Sequence, residues 1–488
     1  MRNPSLSLFI VATAMALVAG CASTPVGPDY AAPEPLSSMQ AASAGPFLSS
    51  AGVAADIALP PAWWRLYQEP QLDALVEEAL KHNTDLRQSL ANLEREQALE
   101  AEMHGAERPT MTAHGGPGFG HASGLALLQK DSEPPSRFTY SAGVGVSYQF
   151  DMLGQLRRAI EAAEAGTDAA QAAVDLVRVN VAAGTAKAYA HVCSSGLRLR
   201  SARTSVRLQE EAVRLADRLQ HAGKVGDIDS ARARGQLEQL HAALPPLLAQ
   251  RHAALYQLAT LTGKAPRDFP TAVTDCEQPP QLAGLLPVGD GAALLRRRPD
   301  VRQAERRLAS ATARIGVATA ELYPKVTLGL SAASTGFAAG FGNRETFSYS
   351  LGPLISWTLP ITGVVRARIA QAEAATRAAA AQFDGTVLTA LREVETALDA
   401  YARALDGHTA LTAARDHSAA VARQARALYV HGKTSQLEAL DAERTLAASE
   451  AALAASLAQL AEDQCAVFLA LGGGWERHEA LSTTTPWP

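Results

Sequence analysis

The residues best placed to do chemistry sit late in the chain, in the stretch SQLEALDAER from Ser435 to Arg444. Glu438, Asp441 and Arg444 recur every three residues on a segment that reads as the start of a helix, so they share one face. Two carboxylates so close repel unless water, a cation or the guanidinium relieves them. Repeated around a symmetry axis, they would form a ring that favours cations and stands near an opening threshold. The plainer alternative is a pair of solvated residues on an exposed helix end. Catalytic patterns are missing: there is no HExxH, GxSxG, Walker A, or GxGxxG in a strand-turn-helix setting. Gly472-Gly473-Gly474 closes a helix instead of opening one. The histidines show no metal-ligand spacing, and His417 and His431 read as exposed helix residues. Neither an enzyme nor a cofactor is expected.

The cysteines divide into two groups. Cys21 follows an apolar run from Leu6 to Ala19 that is too short to span a membrane. Leu17-Val18-Ala19-Gly20-Cys21 resembles a lipobox, at which a signal of residues 1–20 is removed and Cys21 is acylated. Ala22, in place of Asp, resembles outer-membrane sorting; the alternative is an ordinary secretory signal with an incidental Cys. Cys193, Cys276 and Cys465 show no CxxC spacing, and an odd number of thiols makes a poor disulfide framework. Cys193 and Cys465 read as small buried residues on helices, and Cys276 has no assigned role. The 488 residues carry a net charge of −5 and no basic stripe interleaved with aromatics, which argues against nucleic acid as a partner.

Positioning these residues falls to a duplicated unit. FTYSAGVGVSYQFDMLG (Phe138–Gly154) and FSYSLGPLISWTLPITG (Phe347–Gly363) both alternate apolar and small polar residues with the period of a strand. They lie 209 residues apart, and that shift holds to Gly263 and Gly472; upstream, Asp85 and Asp300 match with a shift of 215. The chain is therefore a tandem repeat. Each copy reads as a helix (Leu72–Glu107; Arg302–Leu322), a strand, a hairpin loop (Gly115–Ser136; Ala332–Glu345) and a second strand. A helical hairpin broken near Gly223 or Gly432 follows, with arms of about 60 and 30 residues, roughly 90 and 45 Å long. Val387, Leu391, Val394, Leu398, Tyr401 and Leu405 step as in a coiled coil, and Leu446, Leu453, Leu460 and Val467 recur every seven. Four two-faced strands cannot close a barrel in lipid, so several chains must contribute.

Several stretches resemble the TolC-like outer-membrane factors of the NodT-type efflux lipoprotein branch. They are Val26-Gly27-Pro28-Asp29-Tyr30, Trp63-Trp64, Asn83-Thr84-Asp85-Leu86, Arg297-Arg298-Pro299-Asp300-Val301-Arg302-Gln303, Ile315-Gly316 and Tyr323-Pro324. The resemblance implies a mainly α protein with transmembrane β structure. Four strands from each chain of a homotrimer would make a twelve-stranded β-barrel, continued by a periplasmic α-helical coiled-coil barrel. On that frame, residues 1–20 are the lipoprotein signal and 21–71 a Pro-rich, lipid-anchored start. Residues 72–263 form the first repeat (strand hairpin 109–150, tip near Gly223) and 264–291 an equatorial linker. Residues 292–472 form the second repeat (strand hairpin 324–360, tip near Gly432) and 473–488 a tail.

The implied role is the outer-membrane exit channel of a tripartite efflux pump for drugs or toxic compounds. Its partners would be outer-membrane lipid, a periplasmic adaptor and an inner-membrane transporter of the resistance-nodulation-division (RND) type. The alternatives are a duct for type I protein secretion and, from another class, a structural coiled-coil envelope lipoprotein. The resemblance also assigns Leu437 to a constriction, Glu438 and Asp441 to acidic rings, and Arg444 to a linking base. It assigns Asp229 and Tyr429 to links between helices. Gly223, Lys224, Gly432 and Lys433 would be adaptor-contact tips, although family tips often carry an apolar residue where this chain has the two lysines.

Overall fold

The computed structural model of the chain describes residues 25–32, 47–48, 53–54, 57, 59–121, 135–224, 226–282, 284–289 and 291–474. The expected signal 1–20, Cys21 and the tail beyond 474 lie outside these residues. In chain order the elements are β1 (Val53–Ala54), α1 (Pro70–His82), α2 (Thr84–Gly105), β2 (Thr110–Gly120), β3 (Arg137–Phe150) and α3 (Gln155–His221). Then come α4 (Asp227–Ala242), α5 (Leu244–Leu261), β4 (Leu286–Pro287), α6 (Gly291–Arg297) and α7 (Pro299–Ala320). The series ends with β5 (Lys325–Phe337), β6 (Phe347–Ser356), α8 (Val364–Val430) and α9 (Gln436–Ala470). The duplication is written in the backbone. Left-handed glycines pair at a constant spacing of 209: Gly154 with Gly363, Gly223 with Gly432, and Gly263 with Gly472.

The elements divide between two compact units, the first holding residues 25–32, 94–169 and 304–382. Its centre is an antiparallel sheet of order β2-β3-β5-β6. The register keeps the two faces apart across all four strands. Met111, Val146, Leu330 and Leu351 form one cross-strand row, and Thr112, Gly145, Ser331 and Ser350 form the neighbouring row on the opposite face. The apolar face is exposed: Met111, Phe138, Phe347, Tyr349, Leu351 and Ile355 are all more than half accessible. The strands reach to Gly120 and Phe337, further into the Gly-rich hairpins than the alternation suggested, because ladder pairing continues through Gly116, Gly118 and Gly336.

The VGPDY segment is pinned in this unit. Val26 N donates to the Leu153 carbonyl at 2.9 Å, and buried Arg158 reaches the carbonyls of Val26 and Gly27 and the carboxylates of Asp29 and Glu161. Gly27 faces Gly316 so closely that a Cβ on either would strike the other strand of backbone, which explains the two glycines. Tyr30 donates to Glu305 at 3.0 Å beneath the Arg306 guanidinium; burial first, then Glu305, pushes its phenol up to about 12.

The second unit holds the remaining residues, including 59–93, 170–303 and 383–474. Its core packs Trp63, Trp64, Tyr67, Leu72 and Val76 against Phe468, Leu471 and Leu258, with Trp63 stacked on Phe468 at 4.3 Å. β1 pairs in parallel with β4. Of the heptad series, Val387, Val394, Leu398, Tyr401 and Val467 are buried, while Leu391, Leu405, Leu446, Leu453 and Leu460 are half-buried.

Three features depart from the sequence reading. The helix expected over Leu72–Glu107 is broken at Asn83, whose side-chain oxygen accepts from the N–H groups of Asp85 and Leu86 and starts α2. In the second repeat the equivalent break falls at Arg298, between α6 and α7. The short arm of the first hairpin is interrupted at Ala243, where Pro245-Pro246 open α5, whereas α9 runs unbroken for 35 residues. Finally, Cys193 is not a free buried thiol: it forms a disulfide with Cys276, with Cα atoms 4.6 Å apart. The fold brings the 264–291 segment onto α3, which thiol counting could not foresee. Cys465 remains free and buried beside the Tyr67 hydroxyl, and burial pushes its thiol up to about 12.

Candidate channel gate

The tip of the second repeat is built from a helix stop and a helix start. At the end of α8, Gly432 takes φ +67° while its N–H donates to Tyr429 O and Lys433 N–H donates to Leu428 O. This closing turn needs a residue at positive φ, which glycine adopts without a Cβ clash. The chain re-enters at Ser435, the N-cap of α9. Ser435 Oγ accepts from Glu438 N–H at 3.1 Å, and the Glu438 carboxylate accepts in return from Ser435 N–H and from the Thr434 hydroxyl. This is a capping box, and it turns the Glu438 carboxylate back onto its own helix N-terminus, where the dipole favours negative charge.

Leu437 (62% accessible), Glu438, Asp441 and Arg444 therefore share the first turns of α9, and all four are exposed. Among the described residues no ion pair joins Asp441 to Arg444. Tyr429 is half-buried at the end of α8. Asp229, on the other tip, faces Arg232 of its own helix at 3.6 Å.

The first tip has the same turn: Gly223 N–H donates to Gln220 O and Lys224 N–H to Leu219 O, both at 2.9 Å. Its helix start differs. The N-cap is Gly226, which offers no side chain, and bracing comes from the preceding helix instead. Gln220 donates to Asp227 at 2.8 Å and Ser230 donates to Asp217 at 2.6 Å. Arg234 pairs with Asp217 at 3.0 Å. The Ser230 hydroxyl, then Arg234, holds the Asp217 carboxyl below the usual range. The repeat equivalents of Asp217 and Arg234 are Arg426 and Glu443 (217 + 209, 234 + 209), which pair at 3.1 Å with the charges exchanged. Reading Glu438 for its charge alone overlooked the Ser-x-x-Glu signature, and the exchanged pair is visible only when the two copies are aligned.

Residues 75–264 and 292–473 match the family model described as outer membrane efflux protein. The chain belongs to the outer membrane efflux protein family. This efflux protein is 30% identical to nodulation protein T of Rhizobium leguminosarum bv. viciae, over 94% of this chain and 92% of that protein. It is 29% identical to the solvent efflux pump outer membrane protein SrpC of Pseudomonas putida, covering 97% of this chain and 99% of the relative. Among solved structures, the outer-membrane channel OprN superposes with a TM-score of 0.81 at 32% identity, covering 92% of this chain and 99% of that one. The resemblance to TolC-like factors thus holds, with the tandem repeat and the four-stranded, mainly helical fold. The protein is an outer-membrane channel of an efflux pump, and the family's work is passage, not catalysis.

Proposed function

We propose that this efflux protein works as a homotrimer, its sheets joined edge to edge into a twelve-stranded barrel that carries small toxic molecules outward. The observation that carries this reading is the sheet itself. β2 and β6 are its edges, and its exposed apolar face is continuous across four strands. Open edges leave backbone N–H and C=O groups unpaired, which lipid does not tolerate, so in a membrane the edges must meet those of other copies. Among the described residues no helix is long and apolar enough to cross a membrane, so the sheet is the spanning element in this reading. Acylated Cys21 would anchor each chain to the outer membrane, with the helices in the periplasm. The tips, with Gly223, Lys224, Gly432 and Lys433, would meet a periplasmic adaptor bound to an RND-type inner-membrane transporter.

Leu437, Glu438 and Asp441 would narrow the channel at the second tip, with Arg444, Asp229 and Tyr429 linking neighbouring helices. The capping box dictates how to test this. Glu438→Ala would remove a charge and a cap together, whereas Glu438→Gln keeps the reciprocal hydrogen bonds and removes only the charge. Planar-bilayer recordings of Glu438→Gln/Asp441→Asn should show reduced cation selectivity and raised single-channel conductance. Unchanged selectivity and conductance would remove these residues from the gate. Native mass spectrometry in detergent tests the assembly: a monomer at working concentrations would refute the barrel.

A further inference from the structure

In the first unit, α2 carries Glu100 and His104 one turn apart on the same face, and α3 brings Glu164 to them. One ligand atom from each of the three lies within 4.8 Å of the other two, and His104 Nε2 is 3.5 Å from Glu164 Oε1. The other ring nitrogen, Nδ1, faces the Glu107 carboxylate at 3.8 Å. The His104 and Glu164 side chains are 45% and 53% accessible, so an ion could reach them from solvent. Glu100 and His104 also line a cleft of about 580 Å³ shared with Thr167, whose buried hydroxyl has no hydrogen-bond partner among the described residues.

The duplication provides an internal control. At the equivalent positions of the second repeat, Ile315 and Thr319 stand in place of Glu100 and His104 (100 + 215, 104 + 215), and Leu322 in place of Glu107. Glu373 keeps the position of Glu164 (164 + 209). Thr376, the counterpart of Thr167, has partners there, donating to the carbonyls of Ala311 and Ala372 at 3.0 Å. The repeat therefore forms this helix pair without the polar set, so the fold does not account for it.

We propose that Glu100, His104 and Glu164 bind one divalent transition-metal cation of the zinc type, with Glu107 orienting His104. An imidazole nitrogen with carboxylate oxygens suits zinc better than calcium or magnesium, which take oxygen ligands alone. Three protein ligands leave a coordination position for water. A carboxylate hydrogen-bonded to the far ring nitrogen fixes the orientation of a metal-bound histidine, and Glu107, 3.8 Å from Nδ1, takes that role by closing to hydrogen-bond distance. Closing on an ion at about 2.0–2.2 Å requires the glutamate side chains to swing inward. The bound ion would offset the crowding of the carboxylates and tie α2 to α3.

The test is isothermal titration of the full-length protein, in detergent and free of any histidine tag, with zinc chloride. One saturable site per chain is expected, lost in His104→Ala and in Glu164→Gln, with Glu107→Gln weakening it about 10- to 100-fold. Zinc should also raise the thermal midpoint of the wild type and leave that of Glu164→Gln unmoved. Glu164→Gln is a near-isosteric change at an exposed position, so it decides the matter even if His104→Ala folds poorly. Absence of saturable binding, or binding that Glu164→Gln leaves intact, would overturn the site. Unaltered affinity in Glu107→Gln would remove its orienting role.

Discussion

The two repeats meet the same need with different side chains. In the first, Asn83 Nδ2 donates to the carbonyl of Leu261 at the end of α5; in the second, Arg298 Nη1 donates to the carbonyl of Ala470 at the end of α9. These are equivalent atoms of the duplicated unit (83 + 215 = 298; 261 + 209 = 470). Both donors satisfy a helix-end carbonyl that has no partner within its helix. Asn83 also caps α2 with its oxygen, whereas Arg298 has no acceptor, and Asp300 accepts from the Val301 N–H instead. Arg298 in turn holds Asp300 through two hydrogen bonds of 3.0 and 2.7 Å and Glu393 at 2.8 Å. Burial pulls its pKa down, but the hydrogen bonds and charges of Asp300 and Glu393 outweigh that and hold it above the ordinary value. Duplication has preserved the position that must be satisfied, and each copy has found its own chemistry for it.

The sharpest break of this symmetry is the disulfide. Its second-repeat counterpart is buried Ala402 (193 + 209), so only the first repeat is cross-linked. Cys193→Ala/Cys276→Ala should cost about 4–5 kcal/mol from the entropy of a loop closed over 83 residues, read from denaturant titration in detergent. A loss below 1 kcal/mol would mean that packing alone holds the 264–291 segment. Next comes the pair of carbonyl donors. Arg298→Ala should cost about 3–4 kcal/mol, because it strands two carboxylates as well as a carbonyl. Asn83→Ala should cost about 1–2 kcal/mol. Equal costs would erase the distinction drawn between the repeats.

The helix starts at the tips come third. Ser435→Ala should lose about 1 kcal/mol by opening the capping box, while Gly226→Ser, at an extended backbone, should gain about 0.3 kcal/mol. Smallest is the exchanged ion pair. Asp217→Arg alone should lower the thermal midpoint slightly, and adding Arg234→Asp, which gives this site the charge order of the second repeat, should restore it. The pH dependence has a definite sign here. The Asp217 carboxyl is held below its unfolded value, so its contribution is present above the unfolded pKa and is lost as pH falls through the folded one. An acid limb unchanged in Asp217→Asn would show that the carboxylate contributes nothing to folding.

Much of this architecture is readable in the chain. The period-two runs at Phe138 and Phe347 placed two strands, and the constant shift revealed the duplication, because both depend on local spacing. The break at Asn83 escaped because the apolar spacing runs on through it, although Asn83-Thr84-Asp85 is a cap signature that the Oδ1 contacts to Asp85 and Leu86 bear out. The Cys193–Cys276 bond escaped because it depends on where the 264–291 segment docks, and no local pattern records that. At the candidate gate, the positions of Leu437, Glu438, Asp441 and Arg444 on one helix start were legible. The turning of Glu438 onto Ser435 was encoded too, but a residue read for one role conceals a second.

The pairing of β3 with β5 bears on how the protein is made. Phe150 and Val326 are partners in the ladder yet 176 residues apart (326 − 150). At synthesis rates of 5–20 residues per second, β3 therefore waits about 10–35 s for its neighbour. Closing so long a loop adds little to the equilibrium cost, since that grows only with the logarithm of length. The burden is one of timing. A first hairpin that formed early would display a bare strand edge to other copies throughout that interval, a ready template for misassembly. A chain of this strand order is served by a first hairpin that stays unpaired with other copies until its second has been made.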